Sequence, residues 1–232
     1  MFKRNLLLGA VLAVASSGAF ATPFTITAQL TGDARQANGE NPENLVVDVT
    51  IVSDTTSNIA NWTIDLNSPD HPDIKLDEFY FNLTGSAGDY SFDNISPTDW
   101  TITPMTGNVQ GGGFGNVKFL FEAGNPGNSN VTNDTLLTFD MILAPGMTFD
   151  KSIFLDAEIL TGAAGSGQLG AHLQSLTRND TNCPNGCNTD SGFAIGMYDG
   201  GTLPPNLIPE PGTTALLGLG LLGLLTARRR LV

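Results

Sequence analysis

Basic residues are scarce in this chain. Its 232 residues include ten Lys and Arg against 23 Asp and Glu, which gives a net charge of −13 at neutral pH. Half of the basic residues lie close to the two termini, so residues 22–207 carry five basic and 22 acidic side chains, a net charge of −17. Such a surface repels phosphate backbones, and we predict no nucleic-acid partner. The charge favours solubility outside the cell and attracts cations.

Side chains that commonly carry out catalysis are also few. His71 and His172 are the only histidines, and no Gly-x-Ser-x-Gly sequence marks a serine hydrolase nucleophile. The adjacent carboxylates of Asp77 and Glu78 have the chemistry for glycoside cleavage, but that reaction requires a separation that a sequence does not give. We therefore predict that the protein is not an enzyme and has no catalytic residues. A secreted glycan hydrolase is the least favoured alternative.

No segment between the termini has the apolar period of a helix. Apolar and polar residues instead alternate in short runs, which is the pattern of half-buried strands. Clusters of Gly, Pro, Asn and Asp separate the runs. The runs are 24–30, 45–51, 61–66, 79–83, 117–121, 137–143, 153–159, 169–173 and 193–197. They predict an all-β domain, an antiparallel β-sandwich of jelly-roll or immunoglobulin-like layout with about nine to eleven strands.

The first 21 residues have the features of a signal peptide. Lys3 and Arg4 form a short positive region, and residues 6–15 form an apolar core. Ala19 and Ala21 are the small residues of a cleavage site, and we expect cleavage after Ala21. The extracytoplasmic domain would then comprise residues 22–207.

The C-terminal segment, residues 208–232, combines three elements in a fixed order. A Pro-Glu-Pro sequence comes first and is stiff and extended, because each proline fixes its own φ and disfavours helix in the preceding residue. An uncharged run, residues 215–227, follows and can satisfy its backbone in a membrane only as a helix. Three arginines then form a basic stop that stays on the cytoplasmic side. We predict one membrane helix here, although the run is shorter than the ~20 residues of a usual span.

This order of elements resembles the PEP-CTERM sorting signal of Gram-negative bacteria. The resemblance covers only residues 208–232. It implies that an exosortase-type membrane peptidase recognises the tail and removes it, and that the body then passes from the inner membrane to the cell surface or an exopolysaccharide matrix. The recognition residues would be Pro209, Glu210 and Pro211, and the residues that stop transfer would be Arg228, Arg229 and Arg230. The residues alone leave an ordinary tail anchor or a buried core helix as alternatives.

Cys183 and Cys187 are the only cysteines. In an exported protein, a pair this close predicts a disulfide. A redox site is disfavoured because the spacing is Cys-x3-Cys and no helix pattern follows. A zinc site at the cysteines is disfavoured because no further ligands lie near them in the sequence.

The histidines have two interpretations each. His172 alternates with Ala171 and Leu173, and we interpret it as a hydrogen-bonded structural residue, with ligand or metal binding as the alternative. Its segment also resembles an Ala-His-Val-Gln sequence that precedes the tail in many PEP-CTERM proteins, with Leu173 in the place of Val. His71 lies in an acidic turn, and we interpret it as a solvated loop residue, with a cation site as the alternative.

Calcium and sugar binding remain open alternatives. One acidic cluster comprises Asp89, Asp93, Asn94 and Asp99, and another lies within residues 179–190. Both offer the oxygen ligands that Ca²⁺ uses, but neither has a defined ligand spacing, so we predict no metal site and no cofactor. Trp100 and Tyr90 could stack on sugar rings if exposed, whereas burial is the expected state of such aromatics.

Together these features predict an exported surface or exopolysaccharide-matrix protein. It would be a substrate of exosortase-type sorting with a non-catalytic structural or adhesive role. The alternative is a carbohydrate-dependent or calcium-dependent binding module.

Overall fold

The computed structural model describes residues 21–31, 45–105, 121–124, 130–162, 165–178 and 187–199. None of the helical segments among these residues could span a lipid bilayer. Several predicted features lie outside the described residues, and what was said of them stays a prediction. They are residues 1–20 with Ala19, Cys183 of the disulfide, and the tail with Pro209, Glu210, Pro211, Arg228, Arg229 and Arg230.

The described chain forms twelve strands and two short helical segments. The strands are β1 (Pro23–Thr31), β2 (Val46–Asp54), β3 (Ile59–Leu66), β4 (Lys75–Phe81), β5 (Tyr90–Ser96), β6 (Thr101–Pro104), β7 (Phe121–Gly124), β8 (Leu137–Leu143), β9 (Leu160–Gly162), β10 (Gly165–Gly167), β11 (Leu169–Arg178) and β12 (Cys187–Gly196). The helical segments are a 3-10 turn, Ala87–Asp89, and one turn of α-helix, α1 (Ser152–Leu155).

Ten strands form one antiparallel sheet in the order β5-β8-β3-β2-β1-β12-β11-β4-β7-β6, and β9 and β10 form a separate hairpin. After β3 the chain alternates between the two ends of this sheet. It enters β4 at one end and β5 at the other, returns for β6 and β7, crosses again to β8, and crosses back to β11. The prediction of an antiparallel all-β domain is therefore confirmed.

The core lies between the two ends of the sheet, which curl over to face each other. Trp62 of β3 stacks on Phe139 of the adjacent β8, with ring centroids 5.2 Å apart. The same indole lies 4.8 Å from the ring of Phe81 on β4, although four strands lie between β3 and β4 in the sheet. Phe92 of β5 also contacts Phe81. The alternating apolar residues of β1, β2, β3 and β8 point into this core, as their period of two predicts.

The segment 153–159, which was predicted to be a strand, is not one. Ser152 begins α1, and its N–H donates to Asp150 Oδ1 at 2.8 Å. Phe154 is fully buried, and its ring stacks on that of Phe149. A single helical turn is too short to show a helical period, so its apolar residues mimicked the alternation of a strand. The strand in this region, β9, starts only at Leu160.

Strands β5, β6, β9 and β10 were missed, and β7 was predicted only in part. β5 was taken for an acidic loop because Asp93, Asn94 and serines break its apolar alternation. The pairing of β5 with β8 shifts register between Asp93 and Ser96, where Asn94 has a φ of 52°. β6 is only four residues long. Most of the predicted run 117–121 lies outside the described residues, and β7 begins at its last position.

Candidate functional site

A β-bulge brings two neighbouring carboxylates of β4 towards one histidine of β11. His172 pairs with Glu78, whereas the next residue, Leu173, pairs with Leu76. Asp77 is therefore an extra residue in β4 with no partner of its own across the ladder. Bulges of this kind change the direction of side chains and are frequent near functional sites.

Asp77, Glu78 and His172 form the cluster that we call the His172 cluster. His172 Nδ1 lies 3.0 Å from Asp77 Oδ2 and 3.6 Å from Glu78 Oε2. The side chains are 18% exposed for His172, 10% for Asp77 and 21% for Glu78. The buried Nδ1 atom has no hydrogen-bond partner, although both carboxylates lie close to it.

Two aromatic side chains hold the His172 cluster in place. Phe193 of β12 pairs with His172, and the two rings stack with centroids 4.6 Å apart and planes 16° from parallel. The buried Tyr80 donates its hydroxyl hydrogen to Glu78 Oε2. The imidazole and this carboxylate therefore have little freedom to reorient. One ligand atom from each residue of the cluster lies within 4.8 Å of the others, close enough to hold a cation together.

His71 is buried and does not belong to a solvated loop, so that interpretation was wrong. It is 4% exposed, and its Nδ1 accepts a hydrogen bond from the N–H of Thr177 at 3.1 Å. Its carbonyl accepts a further hydrogen bond from the side-chain amide of Asn133. His71 therefore ties the turn before β4 to the end of β11, where an irregular register frees a backbone donor. No local sequence feature predicts this long-range contact.

The two aromatic candidates for sugar stacking are occupied within the fold. Trp100 is 2% exposed, and its indole N–H donates to Asn130 Oδ1 at 3.3 Å, which confirms burial as the expected state. Tyr90 is half-buried, and its hydroxyl donates to the carbonyl of Thr84. Burial raises the pKa of Tyr90 to about 12.

The acidic residues proposed as a calcium loop have different partners. Asp89 accepts a hydrogen bond from the N–H of Ser86 at the 3-10 turn. Asn94 donates to Asp140 on β8, and Asp99 accepts from Asn130. Asp89, Asn94 and Asp99 therefore each have a hydrogen-bond partner within the fold. The second acidic cluster lies largely outside the described residues.

A row of hydroxyl groups crosses the outer face of the sheet and was missed by sequence reasoning. Threonines pair directly across four adjacent strands, and a serine extends the row onto the edge strand. The members of this hydroxyl row are Thr27, Thr50, Thr63, Thr138 and Ser96. Asp48 and Asp65 flank it, and burial, with the negative charge of Asp48, raises the pKa of Asp65. A groove of about 520 Å³ lies at one end, between Gln29, Asp48 and Asp199.

Residues 207–230 match the family model described as the PEP-CTERM protein-sorting motif. The chain carries a PEP-CTERM sorting motif. The match contains the Pro-Glu-Pro sequence, the apolar run and the three arginines, which confirms the resemblance seen in the tail. The PEP-CTERM motif supports an exported protein that passes through the membrane and is processed by exosortase, a membrane protein. Neither a curated protein nor a solved structure matches the chain.

Proposed function

We propose that the protein is a surface or exopolysaccharide-matrix component with a non-catalytic structural or adhesive role. The observation that carries this proposal is the PEP-CTERM motif at residues 207–230. A motif of this kind addresses a protein to the outside of the cell, and an acidic, strand-rich body suits that environment. The final location would be the cell surface or the matrix around it.

Each part of the chain has a role in this route. The signal peptide, residues 1–21, starts export and is removed after Ala21. The apolar run and Arg228, Arg229 and Arg230 then hold the protein in the inner membrane. Exosortase recognises the extended Pro-Glu-Pro sequence around Glu210 and releases residues 22–207. A disulfide between Cys183 and Cys187 forms after export.

The exported domain would be a β-sandwich of jelly-roll layout. The repeated crossing of the chain between the two ends of the sheet supports this layout over an immunoglobulin-like one. The contacts of Trp62 and Phe92 with Phe81 supply the packing between the two layers. Such a domain is a rigid scaffold that displays a wide outer surface.

The surroundings of the carboxylates support a non-catalytic role. Asp77 is 7% exposed, and Glu78 is engaged by the hydroxyl of Tyr80. The two carboxyl groups of a glycosidase must flank the scissile glycosidic bond, at least about 5 Å apart. Here the imidazole of His172 lies against both carboxylates.

Adhesion to a polysaccharide is the second candidate function, and the hydroxyl row favours it. Thr50 and Ser96 are exposed, and aligned hydroxyls and nearby carboxylates offer donors and acceptors to the hydroxyls of a polymer. The variant with Thr50→Val and Thr63→Val should bind exopolysaccharide less well than the wild type. Thr103→Val, on the exposed edge strand β6, is the matched control and should bind normally. If exopolysaccharide retains both variants equally, the hydroxyl row does not bind it.

The sorting proposal is tested by cell fractionation. In cells with exosortase, the wild-type protein should reach the surface fraction, and in cells without the enzyme it should accumulate in the inner membrane. Glu210→Ala should accumulate there even when exosortase is present, because the recognition sequence is damaged. Glu158→Ala removes an exposed carboxylate from the body and should sort normally. Surface delivery that depends on neither exosortase nor Glu210 would contradict the proposal.

A further inference from the structure

We propose that the His172 cluster is a binding site for one divalent transition-metal ion of the Zn²⁺ type. The ligands would be His172 Nδ1 and one carboxylate oxygen each from Asp77 and Glu78. This site goes beyond the sorting function, and it differs from the sequence prediction of no metal site.

The distances within the His172 cluster fit a shared ion. Zn²⁺ binds imidazole nitrogen and carboxylate oxygen at about 2.0–2.2 Å, which places two ligands of a tetrahedral site about 3.3–3.5 Å apart. The Nδ1 atom of His172 lies 3.0 Å and 3.6 Å from the two carboxylate oxygens. Small side-chain adjustments would therefore bring all three atoms to bonding distance of one ion.

An independent observation is that the cluster contains a buried polar atom without a hydrogen-bond partner. His172 Nδ1 is inaccessible to solvent and makes no hydrogen bond. The side chain of Asp77 is only 10% exposed, and its Oδ2 atom lies 3.0 Å from this nitrogen. Buried polar groups without partners are costly, and charged ones more so. A cation between the two groups would satisfy both at once, with the Nε2 atom of His172 carrying the ring proton.

The neighbours of the cluster have the properties of supporting groups around a metal. Tyr80 donates to Glu78 Oε2, and a carboxylate oxygen can accept this hydrogen bond and bind an ion with its other lone pair. The stacked ring of Phe193 fixes the plane of the imidazole. Partners that orient ligands in this way strengthen metal binding.

The ligand set selects the class of ion. Ca²⁺ prefers six to eight oxygen ligands, whereas one nitrogen and two oxygens suit Zn²⁺ and similar ions. Three protein ligands leave a position for water or for a donor group from another molecule. The exposed fractions of Glu78 and His172, 21% and 18%, provide access from solvent.

The test is calorimetric titration of ZnCl₂ into the full-length protein, purified in mild detergent and stripped of metal with a chelator. The wild type should bind one Zn²⁺ per chain at the cluster with micromolar affinity or tighter. His172→Asn and Glu78→Gln should each weaken binding about tenfold or more. Asp134→Asn, in an exposed turn, is the matched carboxylate control and should leave the affinity unchanged. Co²⁺ in place of Zn²⁺ should give visible absorption in the wild type that the His172 variant lacks.

Three results would overturn the proposal. They are the absence of saturable Zn²⁺ binding in the wild type, wild-type affinity in the His172→Asn variant, and binding that disappears when both cysteines are changed to serine. A preference for Ca²⁺ over Zn²⁺ would overturn the assigned class of ion. If His172→Asn does not fold, the Glu78→Gln result decides, because glutamine keeps the size of the side chain and an acceptor for Tyr80.

Discussion

Trp62 and Phe81 are in contact, with ring centroids 4.8 Å apart, although four strands separate β3 from β4 in the sheet. This contact exists only because the sheet curls until its two ends face each other. The indole also contacts Phe139, Phe154 and Tyr198, so it lies at the centre of the aromatic core.

Trp62→Ala should therefore be among the most destabilising single substitutions. The free energy of unfolding should fall by about 3–5 kcal/mol, because a large cavity forms where both ends of the sheet meet. Val52→Ala, on the exposed face of β2, is the control and should change it by no more than about 0.5 kcal/mol. Urea unfolding followed by circular dichroism measures both. A similar small loss in the two variants would show that the ends of the sheet do not pack together.

Gln168 should be essential for holding α1 against the sheet. This buried side chain donates to the carbonyls of Leu155 and Ala157 and accepts from the N–H of Tyr198. Gln168→Leu leaves these groups unsatisfied, at about 1–3 kcal/mol for each group that water does not reach. We expect a loss of at least about 2 kcal/mol in the free energy of unfolding, with faster hydrogen exchange at the amide of Tyr198.

The control for this substitution is Gln174→Leu on β11, where the side chain is only partly buried. This substitution should lower the free energy of unfolding much less and leave the hydrogen exchange of the Tyr198 amide unchanged. Unaltered exchange in Gln168→Leu would contradict the role given to Gln168.

Gly196 permits a close approach of two backbones where β12 meets β1. A Cβ atom at this position would lie 2.7 Å from the carbonyl oxygen of Gln29, which cannot move aside as a side chain could. Gly196→Ala should destabilise the protein by about 1–3 kcal/mol. Gly88→Ala has open space around the new methyl group and should be close to neutral. Thermal unfolding of the pair is the measurement, and equal melting temperatures would refute the close approach.

Stability should decline in alkaline solution because of Tyr90. Burial raises its pKa from 10.0 to about 12, so the folded state holds a proton that the unfolded state releases earlier. The stabilisation of the folded state by the protonated Tyr90 is fully present below pH 10 and is lost as the pH rises towards 12. Burial also raises the pKa of Tyr198 well above its usual value, which adds to the same trend.

Tyr90→Phe should show a shallower decline between pH 10 and pH 12 than the wild type. At neutral pH the free energy of unfolding of this variant should be about 1 kcal/mol lower than that of the wild type, because the hydrogen bond to Thr84 is removed. Denaturant unfolding at a series of pH values gives both quantities. Parallel curves for the two proteins would mean that Tyr90 does not titrate as described.

Local patterns predicted most of the sheet. β1, β2, β3 and β8 have a strict period of two, because one face meets the core and the other meets solvent. The sorting motif of the tail could also be identified from the sequence, because its recognition depends on a linear order of residues rather than on a fold. Such features need no knowledge of which segments meet in space.

The His172 cluster and the hydroxyl row could not be predicted in the same way. The cluster depends on a bulge that places Asp77 and Glu78 opposite a histidine about a hundred residues later. The row depends on the register of five strands, and each threonine alone is an ordinary polar residue of its strand. The His172 cluster and the hydroxyl row both depend on pairing between strands that are distant in the sequence, and a local pattern does not predict that pairing.

If the tail directs sorting and is then removed, the intact mass of the surface-exposed protein will show it. We expect an N-terminus at Thr22 and a C-terminus upstream of Arg228, with the apolar run absent. In cells without exosortase, the mass should include all residues to Val232. A surface form that retains Val232 in normal cells would show that the tail is not removed during sorting.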